Sequence, residues 1–132
     1  MGKRMQTVSE DNLNLVRNVY KAADISQIIP ALSPDFEIYQ TELLPWGGHY
    51  QGLTGAQQFF TRLRQNVDSA VEIEEVFPVA EKVVVKGRTR GKVLRNHNKF
   101  DVSVVHIWTL RDGKLIKFEP LIDTPSMLAA LN

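Results

Sequence analysis

Two different spacings of apolar residues divide this chain into a helical first part and a β-rich second part. From Leu13 onward the apolar positions recur with helical spacing, and Ser9 is a typical N-cap for a helix that begins there. From Ala70 onward apolar and polar residues alternate, which is typical of half-buried strands. We therefore predict four consecutive strands, over residues 70–79, 82–94, 100–110 and 114–123.

Shorter elements are predicted between these two parts and at the C-terminal end of the chain. Thr54 is placed to cap a helix, and Thr124 followed by Pro125 is typical of the start of a terminal helix through Leu131. The remaining segments predict a short helix over residues 26–32, a short strand over 36–40 and a glycine-rich loop over 44–52.

Helices that precede an antiparallel meander predict an α+β fold. We expect a curved, mostly antiparallel sheet wrapped around the N-terminal helices, forming a cone with an internal pocket of the kind that holds a small ligand. Residues 9–132 are predicted to form one domain, and residues 1–8 a short flexible segment before it.

The last two strands are joined at Asp112-Gly113, a strong hairpin signal, and their register has two solutions. A two-residue turn places His106 opposite Glu119, whereas a three-residue loop places it opposite Phe118. We favour the second solution because it separates apolar from polar positions more cleanly. Its apolar face carries Val102, Val104, Trp108, Leu110, Ile116, Phe118, Pro120 and Ile122.

His106 is the one titratable side chain in that apolar row. It is either a core histidine bonded to a backbone carbonyl or a group that works inside the pocket. In the second case small environmental shifts would move its pKa across neutral pH.

Composition excludes several classes of function. The chain has 132 residues, a net charge of +1 and no cysteine. Its net charge is too small to attract nucleic acid over a distance, and without a thiol it cannot perform thiolate chemistry. The polar start of the chain does not resemble a signal peptide, and no apolar run is long enough for a membrane helix. We expect a cytoplasmic protein that binds neither membranes nor nucleic acid.

Basic residues alternate on one face of the strand over 82–94, namely Lys86, Arg88, Arg90 and Lys92. They form either a surface for an anionic ligand or a solvated outer face that protects the strand from pairing with other chains. We favour the second interpretation because no aromatic residues are interleaved for stacking bases. The neighbouring run offers carboxylates for cross-strand pairing, namely Glu72, Glu74 and Glu75.

The order of several motifs resembles a known family. The motifs are the loop Pro45–Gly52, the Phe59-Phe60 pair, the strand Val84–Arg88, the hairpin His106–Lys114 and the closing Ile122–Thr124. Together they are similar to the SnoaL-like polyketide cyclases of the nuclear-transport-factor-2-like superfamily, which also contains ketosteroid isomerases. The resemblance implies a cystatin-like cone and a homodimer formed through the exposed sheet face, while the reaction varies within the superfamily.

The resemblance also implies three catalytic residues. Steroid isomerases stabilise an enolate with a tyrosine and a protonated aspartic acid, and Tyr20 and His106 stand at or next to those positions. Gln40 lies near the position of the isomerase base, which argues against steroid isomerisation. Asp123 matches the general base of SnoaL-like cyclases, although Leu121 replaces the tyrosine often found two residues earlier.

Each candidate also has a purely structural interpretation. Asp123 is placed to cap the final helix, and Tyr20 belongs to the apolar stripe of the first helix. Trp46 and Tyr50 line the mouth of a cavity or plug the cone, and the sequence leaves both open. The residues that we predict to contact a ligand are Tyr39, Trp46, Tyr50, Phe59, Val104, Trp108 and Phe118.

Two classes of function remain. The first, which we favour, is an acid–base enzyme without cofactor or metal that transfers a proton on a small hydrophobic carbonyl compound, with Asp123 as base and His106 and Tyr20 as donors. The alternative is a non-catalytic ligand-binding or dimeric interaction protein of the same fold. His49 and His97 lack metal-ligand spacing.

Overall fold

The computed structural model describes residues 2–132, with side chains from residue 8 onward. Three helices pack on one six-stranded sheet, and the helices are α1 (Gly2–Lys21), α2 (Gly52–Asn66) and α3 (Thr124–Leu131). The strands are β1 (Leu32–Gln40), β2 (Gly48–Gln51), β3 (Val67–Val79), β4 (Lys82–Val93), β5 (Lys99–Arg111) and β6 (Lys114–Ile122). This arrangement confirms the predicted α+β fold.

The sheet is curved and open, with the strand order β2-β1-β6-β5-β4-β3. Only β1 and β6 pair in parallel, and the other pairings are antiparallel, as predicted for most of the sheet. The helices cover its concave face, where the apolar core lies. None of the described helices has the length and apolar character needed to cross a bilayer.

Four elements differ from the sequence prediction, in their type or in their bounds. Helix α1 begins at Gly2, so Ser9 lies inside the helix rather than at its cap, and the mobility of residues 1–8 stays a prediction. Two single turns of 3-10 helix around Pro30 replace the helix predicted over 26–32. Part of the predicted glycine-rich loop forms the edge strand β2, and α2 then begins at Gly52, before Thr54.

The hairpin of β5 and β6 follows neither predicted register along its whole length. Arg111 pairs with Lys114 across a two-residue turn in which Asp112 and Gly113 have φ values of 51° and 74°. Such positive values are those of the primed turns that match strand twist. The favoured three-residue loop is therefore wrong at the turn.

A β-bulge then shifts the register by one residue. Leu110 pairs with Leu115, and Ile116 is the extra residue, so Leu115 takes the buried place predicted for Ile116. Beyond the bulge His106 lies opposite Pro120 rather than Phe118. The predicted apolar face is nonetheless right for the rest of β6, because a shift of two positions keeps every side chain on its side of the sheet.

Two glycines allow β3 to approach β4 closely. A Cβ atom at Gly87 would overlap the carbonyl oxygen of Glu72, and one at Gly91 would overlap that of Asp68. Strand β3 also carries a register shift between Ile73 and Glu75. The missing side chains thus permit the bend that brings β3 over the concave face.

Ion pairs cover the convex face of β4. Arg88 and Arg90 bind Asp101 at 2.5 and 3.1 Å, and Arg90 also binds Glu72 at 2.6 Å. Lys86 lies 3.8 Å from the third carboxylate, Glu74. The predicted cross-strand neutralisation of this basic row is confirmed for Glu72 and Glu74.

Candidate functional site

A cavity of about 400 Å³ lies between the concave face of the sheet and the helices. Its lining comes from the end of α1, the first 3-10 turn and its neighbours, Trp46, α2, all strands except β2, and Met127 of α3. Aromatic and aliphatic side chains dominate the lining, and a few polar groups interrupt it. This combination is typical of small-molecule sites.

Tyr20, His106 and Trp108 form a hydrogen-bonded triad in the wall of the cavity. The Tyr20 hydroxyl lies 2.6 Å from Nδ1 of His106, and Trp108 Nε1 donates to the same hydroxyl at 2.9 Å. Tyr20 stands on the last turn of α1, while the other two residues alternate on the inward face of β5. The structure therefore brings together two of the three predicted catalytic residues.

His106 is a neutral imidazole at physiological pH. Its side chain is buried, and this burial lowers its pKa from 6.5 to about 4, because the charged form loses its hydration. The ring stacks on Tyr20 and meets Phe118 edge to face, with centroids 5.1 Å apart. Its Nε2 atom makes no hydrogen bond to any described residue.

Burial also raises the pKa of Tyr20, and the hydrogen bond from Trp108 opposes that rise only in part. The phenol therefore keeps its proton, which has two possible positions. In the first, Tyr20 donates to Nδ1 and His106 presents an Nε2–H donor. In the second, Nδ1–H donates to Tyr20, so the phenol proton and the Nε2 lone pair are both free.

The first arrangement is favoured in an empty cavity because it leaves one polar group unpaired rather than two. A ligand oxygen that accepts the phenol proton would favour the second. The triad can thus act as a hydrogen-bond donor in one arrangement and as donor and base in the other.

Gln40 adds a polar side chain to the cavity, at a position where the family resemblance implies only that the isomerase base is absent. It lines the cavity with 8% of its surface exposed, and its amide has no hydrogen-bond partner among the described residues. The alternation of Phe36, Ile38 and Gln40 along β1 places all three on the inward face. That alternation could have identified Gln40 from the sequence.

Asp123 lies outside the cavity, on the exposed start of α3. Its carboxylate accepts hydrogen bonds from the backbone amide of Ser126 at 3.3 Å and from its hydroxyl at 2.7 Å, as an N-cap does. Ile122 lines the cavity, so the next residue along the strand faces away from it. The structure does not bring Asp123 together with Tyr20 and His106, and its role as base stays a prediction.

Most of the predicted ligand contacts lie in the cavity wall. Trp108 and Phe118 stack with centroids 3.9 Å apart and form a flat aromatic surface. The buried Trp46 also faces the cavity, so it lines the site rather than only plugging the cone. Phe59 and Val104 complete this group.

The two other tyrosines lie elsewhere. Tyr50 is buried behind the lining, and its hydroxyl donates to the carbonyl oxygens of Trp46 and Gly47 and accepts from Arg62. Tyr39 is 40% exposed on the convex face, where it stacks on His49 with centroids 4.1 Å apart. The positions of Tyr50 and Tyr39 therefore favour structural roles over direct contact with a ligand.

Charged groups occur only at the exposed part of the described lining. Asp24 and Arg64 are both exposed there, and hydrogen bonds from Ser26 lower the pKa of the Asp24 carboxyl. The buried part of the lining offers neutral groups alone. No three His, Asp or Glu side chains of the described chain are grouped so that they could hold a metal ion.

A family model described as a SnoaL-like domain matches residues 14–118. An NTF2-like protein of unknown function from Burkholderia pseudomallei K96243 is 24% identical, with a TM-score of 0.86 over 92% of this chain and 98% of that one. No curated protein has a significant match.

Two further solved structures share the fold. TerC, co-crystallised with polyporic acid, is 23% identical over 92% of this chain and 98% of its own, with a TM-score of 0.83. A candidate SnoaL-like polyketide cyclase from Jannaschia sp. CCS1 is 20% identical over 94% and 93% of the two chains, with a TM-score of 0.82.

Proposed function

This chain belongs to the SnoaL-like domain family, and from that premise we propose that it binds a small, largely apolar carbonyl compound and transfers a proton next to the carbonyl group. The observation that carries this proposal is the 2.6 Å contact between Tyr20 and His106 in the wall of an apolar cavity. A hydroxyl donor and an imidazole base on one wall are the two groups that such a reaction needs.

The proton transfer begins when the ligand carbonyl oxygen accepts the Tyr20 proton as a hydrogen bond. His106 then donates its Nδ1–H to Tyr20, and the lone pair of Nε2 removes a proton from the carbon next to the carbonyl. The electron pair of the broken C–H bond moves to the carbonyl oxygen, and Tyr20 stabilises the enolate. The imidazolium returns the proton to another carbon, which completes an isomerisation or prepares a cyclisation.

The basicity of His106 suits this role. With a pKa of about 4, the imidazole is about as basic as an ordinary aspartate carboxylate and is unprotonated at neutral pH. The imidazolium formed during the reaction lies beside the enolate, so that the two opposite charges stabilise each other in the buried site.

A non-catalytic ligand-binding protein is the second candidate. The buried part of the described lining carries no carboxylate, and Asp123 serves as a helix cap outside the cavity. A site with only neutral polar groups can hold a ligand without turning it over. The structure of TerC with polyporic acid supports including that compound among the first ligands tested.

Exchange of protons for deuterium at the α-carbon separates these candidates without knowledge of the net reaction. A panel of cyclic enones and 1,3-dicarbonyl compounds would be incubated with the protein in D₂O and followed by NMR. Polyporic acid has no hydrogen on its quinone ring carbons, so it serves as a probe of binding alone. We expect the wild type and the exposed control His49→Gln to accelerate exchange, and His106→Gln to lose at least 100-fold. Binding without accelerated exchange would favour the non-catalytic protein.

We also propose that a second copy of the chain covers the convex face of the sheet. Apolar side chains on that face remain exposed, including Phe77 at 42% and Leu121 at 53%. Both pair with residues on the outward side of the strands, Val84 and Val105 respectively. The concave face is occupied by helices, so a sheet-to-sheet homodimer is the arrangement that would bury these residues.

A further inference from the structure

The amide of Gln40 is a polar group of the cavity that the proposed proton transfer leaves without a role. It is more than nine-tenths buried, lines the cavity and has no partner among the described residues. The amide is open to the cavity rather than sealed in protein, because the Thr109 hydroxyl is the only fully buried side-chain polar atom without a partner in the described part of the chain. A ligand that displaces water from the cavity must therefore pair with this amide or leave it unpaired at a cost.

Gln40 and His106 stand on one row across the sheet, with Pro120 between them. Ile38 pairs with Phe118, so two residues further along these parallel strands Gln40 is level with Pro120. Pro120 in turn lies opposite His106. Two inter-strand steps separate the Cα atoms of Gln40 and His106 by about 10 Å, and both side chains are on the concave face.

The residue between them cannot compete for a ligand. The side chain of Pro120 has no polar atom, and its buried ring forms an apolar floor between the two polar groups. Two hydrogen bonds of about 2.9 Å each take up more than half of the roughly 10 Å between these two strand positions. Two oxygens that reach both the imidazole and the amide must therefore be neighbours on one edge of a flat ligand that rests on this floor. The stacked rings of Trp108 and Phe118 continue the apolar surface away from this row.

We propose that Gln40 and His106 together select an uncharged ligand that carries two oxygen substituents on the same edge of its ring system. One oxygen bonds to the triad, and the other pairs with the Gln40 amide, which can donate to a carbonyl or accept from a hydroxyl. This inference rests on the proposed use of the cavity and adds the class of compound that fits it. An anionic ligand fits less well because the buried residues among those described in the lining offer no positive charge to pair with it.

A pair of isomeric probes tests this selection. 2,3-Dihydroxynaphthalene carries both hydroxyls on one edge, whereas 2,6-dihydroxynaphthalene has the same size and the same number of hydroxyls on opposite edges. Titration followed by the fluorescence of each probe gives its dissociation constant. For the wild type we expect the 2,3 isomer to bind about fivefold more tightly, the effect of one added hydrogen bond.

Gln40→Met keeps the length of the side chain and removes both polar atoms. We expect it to weaken binding of the 2,3 isomer about fivefold and that of the 2,6 isomer less than twofold. The matched control is Gln57→Met, the same change at an exposed position of α2 outside the cavity, and it should alter neither constant. Thermal unfolding of each variant verifies that it is folded.

The outcomes separate this inference from the function on which it rests. Equal affinity of the wild type for both isomers, or equal weakening of both by Gln40→Met, would overturn the role of Gln40 while leaving binding in the cavity intact. Failure of the wild type to bind either isomer at millimolar concentration would count against the proposed cavity ligand as well as against the selection by Gln40.

Discussion

The hydroxyl of Tyr20 lies 2.6 Å from Nδ1 of His106, although the two residues are 86 positions apart in the chain. This contact joins the end of α1 to β5 within one wall of the cavity. The same phenol oxygen accepts a hydrogen bond from Trp108, so one atom holds three side chains in place. The triad is consequently both a structural link and the candidate centre of reaction.

Removing that hydroxyl should destabilise the protein. In Tyr20→Phe, Trp108 Nε1–H and His106 Nδ1 both lose their partner, and we expect the free energy of unfolding to fall by about 1 to 3 kcal/mol. Urea denaturation followed by circular dichroism measures the change. Tyr39→Phe, at the exposed tyrosine, should change stability by less than about 0.5 kcal/mol, and equal losses in the two variants would contradict the structural role of the triad.

His106 should make the fold sensitive to acid. The unfolded chain binds a proton at the ordinary histidine pKa of 6.5, whereas the folded chain binds it only near 4, so stability falls as the pH drops between these values. From pH 7 to pH 4.5 we expect the wild type to lose about 2 to 3 kcal/mol more than His106→Gln does. Denaturation curves at both pH values give the comparison.

The control for this pH effect is His49→Gln. His49 is exposed, so its replacement should leave the acid sensitivity of the wild type almost unchanged. If His106→Gln and the wild type lose stability in parallel, the imidazole is not held neutral by burial, and the proposed base would need another explanation.

The two interpretations of Asp123 predict opposite results for one substitution. Asparagine is about as good an N-cap as aspartate, so Asp123→Asn should retain stability, whereas Asp123→Ala should lose about 1 kcal/mol. If the residue is only a cap, Asp123→Asn also retains α-carbon exchange. A loss of 100-fold or more in exchange, with unchanged stability, would establish Asp123 as the general base predicted from the family resemblance.

A charge on the convex face should prevent the proposed homodimer. We expect sedimentation of the wild type at micromolar concentration to give a dimer, and Leu121→Lys to give a monomer, because a lysine at the centre of an apolar interface is costly to bury. Leu43→Lys provides the control at an exposed position outside the six strands. A monomeric wild type would exclude the sheet-face dimer under these conditions.

The sequence predicted the α+β class and the inward face of β5 because alternation over many residues is a strong signal. It also placed His106 in an apolar wall. The bulge at Ile116 escaped prediction because an extra residue leaves no local mark in an apolar run, and both residues at that point are aliphatic. The predicted register is therefore wrong about which residue lies opposite His106, but right about the face of the sheet on which His106 lies.

Side-chain roles were harder to predict than faces. The sequence offers two roles for Asp123, the cap of the final helix and the general base, and the structure shows that its carboxylate caps α3. The family resemblance implies a carboxylate base near Gln40, so from the sequence this residue stands out only as the absence of that base. Its burial without a described partner is a property of the folded cavity, which one strand of sequence does not reveal.

The absence of side chains at Gly87 and Gly91 has a consequence for how this protein could diversify. Because the backbone of β3 fills the space where a Cβ atom would lie, even an alanine there must push a whole strand outward. A substitution at either glycine would therefore change the curvature of the sheet around the whole cavity. Substitutions at residues of α2 that line the cavity, such as Phe60 or Leu63, can change the shape of the cavity by as little as one methyl group. Binding of new compounds can therefore evolve more easily through α2 than through β3 and β4.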